Sequence, residues 1–196
     1  ACVSVHGGNR LGANSLLDTV IFGRRAGAAA ATYAKERRHS ALSDAALSAD
    51  RDRIRVMLDR DTNGDSVAKI RLAMGQTMNE HLAVFRNEEG MQTAVSTVRQ
   101  LKERYTRAPV RDKGKVFNTA LVFGLELGFM LDCAEGVCLS ALARKESRGA
   151  HFRTDLPQRD DVNFLKHSVI SYSPDGPHID FSPVTITRWP PEKRVY

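Results

Sequence analysis

Residues 6–18, HGGNRLGANSLLD, combine a glycine-rich turn, an arginine and the start of an apolar helix. A guanidinium group can hold a carboxylate through two parallel hydrogen bonds. The first amides of a helix carry partial positive charge and favour an electron-rich group. Arg10 and a helix that begins near Asn14 would therefore form a two-part anion site. The same residues also fit an ordinary glycine turn, a capped helix and a surface arginine, and the residue types alone leave both interpretations open.

The glycine turn does not match the two common phosphate-binding patterns. A dinucleotide-binding turn requires G-x-G-x-x-G after a strand, and a P-loop requires G-K-[ST]. Gly7, Gly8 and Gly12 satisfy neither pattern, and no lysine lies nearby. The turn is therefore not predicted to bind nucleotide phosphates.

Composition excludes several function classes. The chain has 196 residues, 42% hydrophobic and 27% charged, which is ordinary for a soluble globular protein. The net charge of +6 is spread along the chain, and aromatic residues make up only 7%, so no nucleic-acid partner is predicted. There is no apolar run of about 18 residues and no signal peptide, so we expect no membrane span. Because residue 1 is Ala rather than Met, we expect a processed or truncated N-terminus.

The cysteines do not indicate a disulfide framework or a metal site. Three cysteines without a C-x-x-C pair predict reduced thiols in a cytosolic compartment. Cys133 and Cys138 lie five positions apart on a predicted helix and would point in different directions. No metal ligands are therefore assigned to them.

Hydrophobic spacing predicts a mainly helical chain whose first helix positions the opening turn. A strand is expected to end over residues 1–5, and Asn14 or Ser15 is expected to cap the first helix. That helix carries many Gly and Ala residues, which predicts close packing on another element, expected to be a sheet. The predicted helices span residues 16–37, 40–60, 65–86, 88–107 and 118–144.

The middle of the chain is predicted to form a helical bundle, followed by an irregular tail. Met74, Met78 and Phe129 are expected in its core. After residue 149 the chain becomes rich in Pro, Asp, Arg and His, and strand-like runs appear at 168–172 and 184–189.

Residues 59–70, DRDTNGDSVAKI, resemble a calcium-binding loop in part. Acidic and amide side chains and Gly64 occupy the expected first positions, but the twelfth position is Ile70 where a bidentate Glu is needed. The favoured interpretation is a turn between two helices, whose polar side chains and Gly64 make the turn and cap the next helix. A weak cation site at Asp59 to Asp65 remains the alternative.

Three separated segments resemble the flavoprotein subunit of succinate dehydrogenase and fumarate reductase. They are ACVSVHGGNRLGANSLLDTVIFGRRAG at residues 1–27, RKESRGAHFRTDLPQRDDVNFLKH at 144–167 and RWPPEKRVY at 188–196. The segment at residues 101–131 is also similar to the family's helical domain. The sibling family of L-aspartate oxidases shares the opening pattern and ESRG, but it usually carries Glu where this chain has Asp18.

The resemblance implies FAD as cofactor and succinate or fumarate as substrate. Arg10 would hold a substrate carboxylate, and Gly12 would allow close approach of the backbone. Asn14, Ser15 and Leu16 would bring the helix N-terminus against the pyrimidine edge of the flavin, where it would stabilise the reduced form. No catalytic residue is assigned to this chain, and His6 is expected to be a hydrogen-bonding strut.

The resemblance also implies that most of the family's subunit is missing. The FAD pyrophosphate turn, the covalent flavin attachment and the capping domain have no counterpart in this sequence. We therefore expect a mainly α chain with three parts: residues 1–37 end an α/β FAD-binding domain, 38–147 form a helical bundle, and 148–196 form a tail with short strands. The tail is expected to pack on the flavin domain, with Arg148, His151, Arg153 and Arg159 as hydrogen-bonding residues at that interface.

The implied partners are the N-terminal flavin-binding and capping portion of the subunit, an iron–sulfur subunit and, indirectly, membrane anchor subunits. The implied location is the cytoplasmic face of an inner membrane or the mitochondrial matrix side, and the chain alone is expected to be inactive. Two alternatives are the C-terminal region of an L-aspartate oxidase and a helical docking module without catalysis of its own.

Overall fold

The computed structural model describes residues 6–41, 43–61, 63–173 and 175–192. The described residues form five helices and four short strands, which agrees with the predicted mainly α fold. The predicted strand end at residues 1–5 lies outside the described residues. In chain order the elements are α1 (Asn14–Glu36), α2 (Asp44–Asp59), α3 (Val67–His81), β1 (Phe85–Arg86), α4 (Glu88–Tyr105), α5 (Thr119–Ala143), β2 (Phe152–Arg153), β3 (Lys166–Ser171) and β4 (His178–Pro183).

Backbone contacts divide the chain into two compact units, Ala1–Arg60 and Asp61–Tyr196. The first unit contains α1 and α2, and the second contains the other elements. This division groups the tail with the bundle and groups α2 with α1, whereas the sequence divided the chain at residues 37 and 147. The three-part division remains a prediction about the domains of a longer subunit.

Helices α3, α4 and α5 pack around one hydrophobic core. Each contributes apolar residues at helical spacing, as the sequence predicted. The most deeply buried members are Ile70, Met91, Ala94, Val98, Leu101, Leu127, Leu131 and Cys138. The helix starts are fixed by side chains: Ser66 accepts a hydrogen bond from the Lys69 amide, and Asn118 accepts one from the Leu121 amide.

Two small sheets link the tail to the bundle region. Strand β1 pairs in parallel with β2, so Phe85 lies opposite Phe152. Strands β3 and β4 form an antiparallel hairpin, in which Ile170 faces Ile179 across the ladder. Phe164 and Phe181 stack edge to face beside it, with ring centroids 5.8 Å apart.

Two predicted element boundaries are wrong. The third helix ends at His81 rather than near Arg86, because Phe85 and Arg86 form β1 and pair with a strand more than 60 positions later. The second tail strand covers residues 178–183, not 184–189. The partner of β1 is distant in the chain, so local patterning does not reveal that strand, whereas β4 pairs with β3 in a local hairpin and lies a few residues earlier than the pattern predicted.

One predicted core residue is exposed. Phe129 retains 54% of its surface exposure, because α5 is apolar on nearly all sides and only part of its surface meets α3 and α4. Met74 is buried and Met78 is partly buried, as predicted. Among the described residues, no helix is long and apolar enough to cross a membrane.

Candidate functional site at the start of α1

The opening turn adopts a left-handed backbone at two positions. Gly7 has φ of 59° and Ala13 has φ of 68°, and Ala13 immediately precedes α1. The imidazole Nε2 of His6 contacts the carboxylate of Asp18, which lies in the second turn of the helix. This contact ties the glycine turn to α1 and agrees with the predicted role of His6 as a strut.

Within the described part of the chain, the N-terminus of α1 carries no side-chain cap. The predicted cap was Asn14 or Ser15, but both are helical and the cap position is Ala13, which has no hydrogen-bonding side chain. The first turn of α1 also contains no acidic residue. The positive end of this helix is therefore neither neutralised by a carboxylate of its first turn nor capped by a side-chain oxygen at Ala13.

The structure describes all five predicted site residues within one short segment. The guanidinium of Arg10 is exposed and donates a hydrogen bond to the Leu11 carbonyl oxygen at 3.1 Å. Gly12 is exposed, and no heavy atom among the described residues lies within 4 Å of the position where a Cβ would stand. Asn14 and Ser15 are half-buried, whereas Leu16 is 77% exposed. Within the first compact unit, these residues therefore leave the predicted site open.

The calcium-like segment forms a turn, as favoured. Asp65 accepts ion-paired hydrogen bonds from Lys69 and Arg104, both at 2.8 Å, and these bonds lower the pKa of its carboxyl group. Gly64 lies so close to the Arg107 carbonyl that a Cβ would meet it at 2.1 Å. Within the described ranges, no cluster of three or more His, Cys, Asp or Glu side chains could hold a metal ion.

A buried carboxylate organises the segment that follows α5. Glu146 is fully buried and accepts hydrogen bonds from Arg144 at 2.5 Å and from Arg148 at 2.7 Å. Its second oxygen accepts the backbone amide of Asp160 at 2.8 Å. Arg148 also reaches Asp161 at 2.6 Å. These bonds fold the segment back on itself.

Arg153 performs a similar role at the start of α4. Its side chain is 1% exposed and donates two hydrogen bonds to Asp155, at 2.9 and 2.6 Å, and one to Glu88 at 2.7 Å. Asp155 in turn accepts the Glu88 backbone amide at 2.9 Å, which satisfies an open amide of α4. The hydrogen bonds from Arg153 lower the pKa of Asp155 to about 2.

His151 is held as a neutral imidazole between two arginines. Arg86 Nη1 lies 2.9 Å from its Nδ1, and its Nε2 lies 3.2 Å from the Arg144 carbonyl oxygen. Burial lowers the pKa of His151, and the charges of Arg86, Arg144 and Arg153 lower it further. Nδ1 therefore accepts from Arg86 and Nε2–H donates to the carbonyl.

The four tail residues singled out in the sequence are hydrogen-bonded, but with partners inside the chain. Arg159 completes the set through an ion pair with Asp161 at 2.7 Å. The sequence offered one signal for this arrangement, since each arginine lies within a few positions of an acidic residue. The role of this surface toward a flavin domain remains a prediction.

Comparison with known proteins shows which family this fold belongs to. The family model of the fumarate reductase flavoprotein C-terminal region matches residues 71–196. The chain is 43% identical over 200 residues to the fumarate reductase flavoprotein subunit of Haemophilus influenzae, covering all of the chain and 33% of that protein. It is 42% identical over 208 residues to the succinate dehydrogenase flavoprotein subunit of Rickettsia bellii, covering all of the chain and 34% of that protein.

A solved structure agrees with these sequence matches. A quinol-fumarate reductase with menaquinol molecules superimposes with a TM-score of 0.85 at 40% identity, covering 94% of this chain and 33% of that one. The bundle and its tail thus have the fold of the C-terminal region of a flavoprotein. The chain belongs to the fumarate reductase and succinate dehydrogenase flavoprotein family, as the resemblance implied, and it spans about a third of the length of the curated relatives it matches.

Proposed function

We propose that this chain is the C-terminal part of a subunit that interconverts succinate and fumarate with FAD. In such a subunit, FAD would accept a hydride from succinate or deliver one to fumarate. Arg10 would hold one carboxylate of the substrate, and Gly12 would let the backbone approach it closely. The observation that carries this proposal is the start of α1, which has no acidic residue and no side-chain cap among the described residues and lies four positions after an exposed arginine.

The residues at the start of α1 fit a flavin. Asn14, Ser15 and Leu16 begin the helix, and their amides belong to its positive end. Negative charge grows on the pyrimidine edge of a flavin when it is reduced, so a helix end beside that edge would stabilise the reduced form. Leu16 is apolar and 77% exposed, so it can cover a flat aromatic ring.

The proposed assembly contains further protein parts. The N-terminal flavin-binding and capping portion would supply the remaining FAD contacts and the proton donor. An iron–sulfur subunit would carry electrons to or from quinone, and membrane anchor subunits would hold the complex at the cytoplasmic face of an inner membrane or on the matrix side of a mitochondrion. These partners are implied by the family resemblance and are part of the proposal.

The decisive variant is Arg10→Ala in the full-length subunit of the assembled complex. Loss of a two-point carboxylate contact should lower kcat/KM for the dicarboxylate at least about 100-fold, because the substrate would no longer be oriented. The flavin content should remain unchanged, since Arg10 is not assigned to FAD. Arg24→Ala, an exposed arginine further along α1, is the matched control and should keep normal kinetics.

The kinetic result distinguishes a dicarboxylate-binding role of this chain from a role as a helical docking module. If Arg10→Ala keeps normal kinetics while the complex turns over succinate, the carboxylate assignment is wrong. If the assembled complex binds no flavin and has no dicarboxylate activity, the chain serves only as a helical docking module.

A further inference from the structure

The segment before α5 presents two apolar side chains on the protein surface. Val116 is 78% exposed and Phe117 is 96% exposed. Phe117 also has φ of 51°, a left-handed backbone that a bulky residue seldom adopts. An exposed phenylalanine in an unfavourable backbone conformation gains nothing from this fold alone.

The segment is nevertheless held in a defined shape. Asn118 donates hydrogen bonds to the carbonyl oxygens of Asp112 at 2.8 Å and Gly114 at 3.0 Å, while its own oxygen caps α5. The Gly114 amide donates to Asp112 at 2.7 Å, and the Thr119 amide donates to the Phe117 carbonyl at 2.9 Å. The exposed pair is therefore pre-organised before it meets any partner, which reduces the entropy cost of binding.

Further apolar side chains are exposed along α5. Val122, Phe129 and Val137 are about half exposed, at 50%, 54% and 48%, and their spacing of seven and eight positions aligns them on one face of the helix. A helix that is apolar on all sides is normally buried on all sides. We call Val116, Phe117 and these three residues the 116–137 apolar surface.

We infer that the 116–137 apolar surface packs against the part of the flavoprotein subunit that lies outside this chain, with Phe117 as its anchor. The inference rests on the proposed function, in which this chain is one portion of a longer subunit. The relatives are about three times as long as the matched region, so most of each relative's chain is available as a partner. Permanent interfaces are more apolar than transient ones, and large aromatic side chains commonly anchor them. A surface of this composition is suited to a permanent contact within one subunit.

The test uses the full-length subunit in its assembled complex, with a photo-crosslinking phenylalanine analogue at position 117. Crosslinked peptides are then mapped by mass spectrometry. We expect crosslinks to residues that precede this chain in the same subunit. The analogue at position 72 is the control, because Leu72 is 63% exposed but lies on α3, outside the 116–137 apolar surface and outside the tail.

A second measurement keeps the inference testable if the analogue disturbs assembly. Phe117→Cys in the full-length subunit should react with a maleimide at least about tenfold more slowly than Leu72→Cys, since a buried thiol reacts only after local opening. Peptide mapping separates these positions from the native cysteines.

The outcomes show which protein segment, if any, covers the 116–137 apolar surface. Crosslinks to another subunit, to a second copy of this surface or to residues 1–60 of this chain would overturn the assignment. Equal maleimide rates at positions 117 and 72 would show that the surface is not covered. Flavin content and succinate turnover are measured on the same samples, so that a failure of the proposed function is recognised separately from a failure of this docking contact.

Discussion

Helix α1 and the bundle of α3 to α5 differ in how many apolar side chains they bury. Among the described residues, none that belongs to α1 is buried, although Leu16, Leu17, Val20, Ile21 and Phe22 lie on it. Helices α3 to α5 instead bury a continuous core in which several residues have no exposed surface. The bundle therefore has its own buried core, whereas α1 has the apolar residues of a packed helix but no buried side chain among the described residues. The difference indicates that the proposed dicarboxylate site depends on protein outside this chain.

The polar residues follow the same division. In the tail, buried charges are matched by partners within the chain, as Glu146 and Arg153 show. At the opening turn, Arg10 is exposed and is bonded to the neighbouring carbonyl of Leu11. Charged side chains that are paired within the chain stabilise the fold. The exposed Arg10 guanidinium, beside the start of α1, would instead be available to a ligand.

The largest expected effect on stability is at the buried carboxylate. Glu146→Ala would leave Arg144 and Arg148 with side chains 13% and 16% exposed and without their shared partner. Breaking a buried ion pair on one side costs about 3–5 kcal/mol, so urea unfolding of this chain should show a loss of that size. Glu126→Ala, at an exposed position in the middle of α5, is the control and should change stability by less than about 0.5 kcal/mol. Equal losses in the two variants would contradict the role of Glu146.

Two leucine substitutions test the difference in burial between α1 and the bundle directly. Leu127→Ala removes a fully buried side chain from the bundle and should destabilise this chain by about 3 kcal/mol. Leu16→Ala removes a side chain that is 77% exposed and should change stability by less than about 0.5 kcal/mol. The measurement is chemical unfolding monitored by circular dichroism. A large loss for Leu16→Ala would show that α1 packs within this chain.

The sequence predicted the helices well because their signals are local. Apolar spacing and capping residues such as Ser66 and Asn118 lie within or beside each helix, and four of the five helix ends fall within a few residues of the expected positions. The strands were harder to predict from the sequence, because β1 forms only through pairing with residues 152–153. The α1 cap was missed because the left-handed conformation of Ala13 has no signal in the residue type.

The candidate site was only partly accessible to sequence reasoning. The residue types and the glycine turn indicated an anion site, and the resemblance supplied the flavin and the dicarboxylate. The exposure of Phe129 could not be foreseen, because an apolar helix does not reveal which of its sides meets a neighbour. The internal pairing of Arg148 and Arg153 depends on how the chain folds back, which short-range charge patterns only suggest.

The smallest predicted effect is a pH dependence that arises from His151. Its pKa in the folded chain lies below the ordinary value of 6.5, so the unfolded chain binds more protons in the range just below that value. Stability should therefore fall as pH decreases from 6.5 toward the folded-state pKa. Asp155 has its pKa lowered to about 2, and its contribution is lost only below its ordinary value of 3.8. His151 and Asp155 therefore affect stability in different pH ranges.

The His151 contribution is isolated by His151→Gln, which can still accept a hydrogen bond from Arg86 and donate one to the Arg144 carbonyl. Unfolding free energies measured between pH 7 and pH 5 should decrease less steeply in this variant, by up to about 1 kcal/mol over the range. Gln100→Ala, at an exposed position of α4, removes no titrating group and is the control, so it should retain the wild-type slope. Identical slopes in all three proteins would contradict the neutral state of His151.

The most direct test of the account is a crystal structure of the full-length subunit with FAD and a bound dicarboxylate such as malonate. We expect the Arg10 guanidinium to lie about 3 Å from a ligand carboxylate, the first amides of α1 to face the flavin, and the apolar α1 residues that are exposed in this chain to be covered. If Arg10 instead points away from the ligand and α1 remains exposed to solvent in that structure, the proposed site is wrong.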